Sequence, residues 1–389
     1  MPVHTAPDWA LEAAKPIAAD LADRVADIEA ARTLPTDLVE RFRAAGLFSL
    51  ALPRSLGGPE CAPLAVLDTV AEVSRADASA GWSLLIGQGS GFLAWLDPAV
   101  AGRLLAGTPN PVIASSMAPA GRGVPTDNGF VLDGRWPYVS GCLHSDWVLL
   151  AFAVADPSGE PVSGPGGAPV VRMAFVPSGE LAVLDTWRAA GLRGTGSHDV
   201  AAREVRVPAE LVIDPLFERA KVGGPLYGAS MFSFLMMMMA GFPLGVGRRA
   251  LDEFAATARR KTKPGTDVPL AEDEGVQHDL VLAETSLRAA RALLVAAIGD
   301  VVEAVGRDAA DPPVRARLAA AVVHAMTTAR EVVQTAFHAC GASALYSSHP
   351  LQRCFRDIHA AAAHVAFSQD SVRRLGRIEL GLPAPTFLV

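Results

Sequence analysis

Apolar residues recur every third or fourth position from about residue 8 to 107, in AAKPIAADLADRVADIEAART, LPTDLVERFRAAGLF and LAVLDTVAEVSRADASAGWSLLIGQG. That period predicts amphipathic helices, with Thr36 and Glu40 marking one helix start. From Pro111 to about Pro208 the texture changes to short runs, PVIASS, GFVLDGRW, WVLLAFAV, VRMAFV and DVAAREVRV, punctuated by Asn-Gly, Asp-Gly, Ser-Gly and Gly-Pro-Gly-Gly. Such runs predict a β domain, with GEPVSGPGGAP as a surface hairpin loop. Beyond Pro215 the helical period returns in Ala-rich segments at 229–263, 271–306, 312–340 and 350–380, which predict an antiparallel four-helix bundle. The expected domains are 1–110, 111–215 and 216–389, an α+β multidomain chain without internal repeats.

Composition narrows the partners. Half of the 389 residues are hydrophobic, 19% are charged and the net charge is -7, which rules out intrinsic disorder and argues against a nucleic-acid partner. Cys61, Cys142, Cys340 and Cys354 lie far apart with no CxxC pair, so neither a metal site nor a disulfide framework is expected. Asp8 and Glu12 precede any apolar run, unlike a secretory signal, and a cytoplasmic protein is expected. Residues Val222 to Gly247 carry no charge, but Pro225 and Pro243 bound a stretch of core-helix length, so no membrane span is expected.

Three motifs sharpen this outline. GRWPYVSGCLHSDWVLLA resembles the β-domain signature of the acyl-CoA dehydrogenase superfamily, in which an aromatic and then a hydroxyl residue lie against a flavin ring. AAGLRGTGSHDVAAREVRVP is similar to that superfamily's later strand motif, and HPLQRCFRDIHAAAAHVAF resembles its last helices. The resemblance implies an acyl-CoA dehydrogenase-like fold: a helical N-terminal domain, a central β-barrel or sandwich, and a C-terminal four-helix bundle.

A dehydrogenase of this kind needs a carboxylate base shortly after the Arg356-Asp357 pair. No Asp or Glu lies between Asp357 and Asp370, His364 stands near the required place, and residues 220–251, the alternative base region, contain no acid. What remains resembles the two-component, reduced-flavin-dependent (group D) monooxygenases, through Ser140-Gly141, His144, Trp147 and Arg356-Asp357 with His364. That resemblance implies reduced FMN or FAD delivered by a separate flavin reductase, and O2 activated as a C4a-hydroperoxyflavin. It also implies hydroxylation of an aromatic or polycyclic small molecule by a homotetramer, or at least a dimer. Ser140 would then hydrogen-bond flavin N5, since a hydroxyl accepts from N5–H without charge or basicity. His364 would take a phenolic proton and return it.

By the same resemblance Trp136 and Tyr138 flank the flavin, and Ser115, Ser116 and Met117 edge the flavin or substrate pocket. Arg193, Thr195 and Ser197 offer donors to a flavin phosphate. Arg260, with Arg259, reaches the pyrophosphate of a neighbouring subunit. Gln88 and His144 face the substrate; Gln88 and Ser90 stand where phenol hydroxylases place a histidine. Phe337 and His338 replace the adenine-covering glutamine, which favours FMN. His359, on another helical face, is expected to be structural, and Asp146 to orient a strand start. The competing readings are an N-oxygenase of an amino sugar or heterocycle, an acyl-CoA dehydrogenase-like flavoprotein, and a non-catalytic binding subunit.

Overall fold

The structure is a computed structural model that describes residues 9–164, 167–215, 218–263, 265–307 and 311–384. Its first part is helical: α1 (Trp9–Leu21), α2 (Val25–Ala31), α3 (Thr36–Ala44), α4 (Pro63–Ala76), α5 (Ala78–Ile86) and α6 (Pro98–Gly107). Thr36 is the first helical residue behind Pro35 and its side chain caps nothing, so the sequence signal marked the start but not the mechanism. Helix α5 reads ASAGWSLLI, without a charged residue, and is buried from Ala78 to Leu85. Asp77 starts it by accepting from Ala80 N–H at 2.8 Å.

The predicted strand runs form β1 (Ile113–Thr126), β2 (Gly129–Val139), β3 (Trp147–Val154), β4 (Val171–Pro177) and β6 (His198–Pro208), joined by short strands β5 (Ala182–Leu184) and β7 (Val212–Ile213). Among the described residues they make one seven-stranded sheet of order β5-β6-β2-β1-β3-β4-β7. Strands β1 and β3 run parallel and the other neighbours antiparallel. The pleat sends alternate residues of β3 to opposite sides: Leu149 and Ala151 join the helical core, while Val148, Leu150 and Phe152 join a second apolar cluster. The GEPVSGPGGAP stretch between β3 and β4 is held by the isolated bridges Ala155↔Pro161 and Ser163↔Pro169; Pro165 and Gly166 in it lie outside the described residues.

The C-terminal part contains α7 (Met231–Met239), α8 (Gly241–Arg260), α9 (Glu274–Gly306), α10 (Pro312–Cys340), α11 (Pro350–Ala361) and α12 (Gln369–Glu379). By length and composition Met231–Arg260 could cross a membrane, but its apolar window is 89% buried within the protein, which makes it a core element. Two expected helices are broken. The first divides at Ala240–Gly241, just ahead of Pro243, where a proline has no N–H to continue the ladder. The last divides after Ala361, and His364 sits in the intervening turn rather than on a helix. The loop before β6 packs directly on α11: a Cβ on Gly191 would come within 2.1 Å of Arg356 O, so only glycine permits the approach.

Candidate active site

Strand β2 ends in a reversal. Tyr138 (φ 61°) and Gly141 (φ 76°) are both left-handed, and Ser140 between them is buried. A non-glycine residue held in that region stores strain, a feature that concentrates at functional sites. Gly141 N–H donates to Thr195 O at 3.0 Å, which ties this turn to the Arg193–Thr195 turn before β6.

Four side chains then form a line that ends on a backbone carbonyl. Trp82 Nε1–H, on α5, donates to Ser140 Oγ at 3.0 Å. Ser140 Oγ lies 2.7 Å from Ser197 Oγ, Ser197 Oγ lies 2.6 Å from Thr195 Oγ1, and Thr195 donates to Leu192 O at 2.8 Å. The chemistry gives this line one direction. A carbonyl only accepts, so the Thr195 proton is spent on Leu192; Ser197 must therefore donate to Thr195, and Ser140 to Ser197. Since the indole N–H only donates, Ser140 is left with one unused lone pair and no spare proton. It can accept from an approaching N–H and cannot donate to it.

His364 closes the other side of Trp82, with ring centroids 5.4 Å apart at 76°; Phe242 and Phe367 pack on the same indole. His364 Nδ1 accepts from Ala366 N–H at 3.2 Å. Burial of the ring pushes its pKa down to about 4, so the imidazole is neutral and its proton sits on Nε2. With Nδ1 accepting from the backbone, Nε2 as placed is a hydrogen-bond donor.

Gln88 is buried, and its amide donates to Leu47 O and Leu84 O, which fixes its orientation. Its Oε1 has no partner among the described residues. Gln88 lines a small cavity with Leu85, Phe92, Ser115, Phe234 and Met238, between α5, β1 and α7. Ser115 thus shares a cavity with Gln88, Ser116 is buried one residue on, and Met117 is half-buried against the helical core.

Other expected residues fall elsewhere. Trp136 is corrected to a core residue: it is fully buried in the second cluster, donates to Ala151 O at 2.6 Å, packs against Gly121, and presents no surface to a flavin. Tyr138 is 72% exposed, edge-on to Trp187. Arg193 is partly exposed, 3.8 Å from Glu29. His144 lies against Gly141, neither ring nitrogen having a hydrogen-bond partner among the described residues, its pKa pushed down to about 4 by burial and then by Arg43. Asp146 pairs with Arg43 at 2.8 Å and accepts from Val112 N–H at 2.8 Å, and so orients the start of β1. Arg259 and Arg260 are exposed at the end of α8. His359 packs on Phe355 at 4.5 Å, away from Trp82.

Sequence reasoning missed Trp82, which reads as one more apolar residue of a core helix. Its one signal was the indole N–H, which must find a partner when buried.

Comparison with known proteins places the chain in a family. Residues 9–97 match the family model "Acyl-CoA dehydrogenase, N-terminal domain", and residues 237–369 match "Acyl-CoA dehydrogenase, C-terminal domain". Indole-3-acetate monooxygenase of Pseudomonas putida is 28% identical over 370 residues, 94% of this chain and 92% of that protein. The oxygenase subunit HsaA of a flavin-dependent monooxygenase from Mycobacterium tuberculosis is 28% identical over 387 residues, 94% of this chain and 93% of that one. The structure of XiaF from Streptomyces sp., in complex with FADH2 and glycerol, superposes with TM-score 0.89 at 27% identity, covering 97% of this chain and 96% of that one.

Proposed function

From the premise that the chain belongs to the acyl-CoA dehydrogenase family, as the oxygenase component of a flavin-dependent monooxygenase that hydroxylates aromatic compounds, we propose that Ser140 and His364 form its reactive centre. The observation that carries this reading is the one-way hydroxyl line, which leaves Ser140 an acceptor only. Reduced flavin carries a proton on N5, and an uncharged, non-basic acceptor holds that proton without removing it. The residues therefore fit the cofactor. Bound reduced flavin supplies the reducing power that activates O2.

The chain's own groups do the rest. Trp82 and Ser197 lock the Ser140 rotamer, and the Trp82, Phe242 and Phe367 rings keep water from the hydroxyl. His364 offers Nε2–H to an acceptor atom of the substrate. Gln88 Oε1, a buried acceptor without a partner among the described residues, would hold an N–H or O–H of that substrate. Tyr138 and Ser116 edge the flavin, Arg193 meets a flavin phosphate, and Arg260 serves the flavin of a neighbouring subunit. Support for FAD beside FMN comes from the FADH2 of the Streptomyces relative.

The reduced flavin comes from a partner reductase. A homotetramer is supported by Val281, Leu282 and Leu293, exposed apolar residues of α9. A cytoplasmic location is supported by four free, buried cysteines. Anaerobic titration with reduced and oxidised FMN and FAD tests the assignment. Reduced flavin should bind at least about tenfold tighter than oxidised flavin, which is roughly 1.4 kcal/mol. Tight oxidised FAD that acyl-CoA substrates reduce would point instead to a dehydrogenase.

A further inference from the structure

Two carboxylates that take no part in the proposed chemistry are buried behind Ser140. Asp77 caps α5, and α5 carries both Trp82, the donor to Ser140, and Ser79, whose hydroxyl accepts from Gly194 N–H at 3.2 Å. Asp357, on α11, accepts from Leu192 N–H at 2.6 Å, and Leu192 O is the last acceptor of the hydroxyl line. Both backbone polar groups of Leu192 are thus committed, and the residue is held left-handed at φ 51°, where a branched side chain is disfavoured. The two segments that fix the Ser140 hydroxyl each end on one carboxylate.

The carboxylates also face each other. Both line one small buried cavity together with Ser74, Arg249 and Arg353. Arg353 and Arg356 pair with Glu29 of α2 at 3.5 and 2.6 Å. Among the described residues neither aspartate makes an ion pair of its own. A buried carboxylate without a paired cation is costly, and the fold retains two side by side. Ser74 Oγ and Arg249 Nε, on the same cavity, have no hydrogen-bond partner among the described residues.

We propose that Asp77 and Asp357 are positioning residues for Ser140: Asp77 sets the Trp82 donor and Asp357 sets the Leu192 acceptor, so that together they fix the hydroxyl at flavin N5. The proposal rests on the reading of Ser140 as the N5 acceptor and goes beyond it by assigning work to groups that never touch the cofactor. What each carboxylate supplies is an acceptor oxygen for one backbone N–H. Asparagine supplies the same oxygen, alanine does not, and the pair of substitutions separates positioning from bulk stability.

The test has two readouts. In flavin-free protein labelled with 15N-tryptophan, the Trp82 indole N–H resonance, identified as the one lost in Trp82→Phe, reports the bond to Ser140 directly. In the loaded enzyme, the ratio of hydroxylated product to hydrogen peroxide reports how well N5 is held. Asp357→Ala and Asp77→Ala should each shift the indole signal upfield and raise peroxide roughly fivefold, the order expected for a loosened hydrogen bond. Asp357→Asn and Asp77→Asn should restore most of both. Where an alanine variant does not fold, Thr195→Val interrupts the line without touching either carboxylate and should move both readouts alike. An indole signal unmoved in the alanine variants and in Thr195→Val, or asparagine variants as impaired as alanine, would overturn the proposal while leaving the oxygenase reading intact. Shifts of the indole signal in a protein that never yields hydroxylated product would instead sink the oxygenase reading and leave the positioning role standing.

Discussion

Trp82 and Ser140 meet through a 3.0 Å hydrogen bond that joins the buried helix α5 to the left-handed turn ending β2. The indole can only donate, so it settles which way the hydroxyl points. Trp82→Phe keeps a ring against Phe242 and His364 but removes the donor. Loss of one such bond is worth about 1 kcal/mol, and peroxide formation should rise roughly fivefold while the variant stays folded. Measuring product and peroxide per reduced flavin checks this; unchanged partition would mean the bond does not hold Ser140.

His364 is neutral at working pH and presents Nε2–H, with Nδ1 committed to Ala366. His364→Ala should lower product formation by about a hundredfold, typical of the loss of one well-placed donor, with reduced-flavin affinity little changed. The wild-type rate should show no acid limb between about pH 5.5 and 7 that disappears in this variant. Single-turnover rates across that range decide the matter, and such a limb would restore the histidine as a base.

Gln88 leaves an acceptor without a partner among the described residues, in a small, mostly apolar cavity. A substrate with an N–H or O–H satisfies it, whereas an aromatic lacking a donor leaves it buried and empty. Gln88→Leu should therefore cut the preference for donor-bearing aromatics about tenfold, mainly by losses on those substrates. Paired kcat/KM values for indole and benzothiophene would show it, and an unchanged ratio would remove Gln88 from recognition.

Asp357 gives stability a pH signature. Burial, and then the charge of Asp77, push its pKa up to about 7, against about 3.9 in an unfolded chain. Between those values the folded state keeps a proton that the unfolded state has lost, so this stabilisation is complete at low pH and is lost as pH rises toward 7. Asparagine cannot titrate. The Tm of Asp357→Asn relative to wild type should thus climb from pH 5 to pH 7.5. His144 and His364, both pushed down to about 4, impose the opposite slope in both proteins and cancel in the comparison. A flat difference would show that Asp357 is ionised in the fold at acid pH.

Periodicity was enough to read the three-part order, because helix and strand impose different spacings on the apolar residues. The break at Ala240–Gly241 had a local signal in Gly241 and Pro243, whereas the one after Ala361 was not legible, since it falls in a run of alanines, which are good helix formers. Ser140, Ser197 and His364 stood out through motif and residue type, and the structure brings Ser140 and Ser197 together and sets His364 on the other side of Trp82. Trp136 was misread because an aromatic beside a flavin motif and an aromatic filling a sheet core look alike until Gly121 is seen making room for the indole. The hydroxyl line and the juxtaposition of Asp77 with Asp357 join residues more than fifty positions apart, and only the folded chain shows them.

The central claim is that Ser140 holds N5–H so that oxygen reaches the substrate rather than solvent. The direct measurement is a single turnover of wild type and Ser140→Ala, each loaded anaerobically with reduced flavin and an aromatic substrate and then given 18O2, with isotope in the product and peroxide both counted. Wild type should place one 18O atom in the product, and Ser140→Ala should bind flavin yet send most of its oxygen to peroxide. Equal incorporation by the two proteins, or peroxide alone from wild type, would contradict the account.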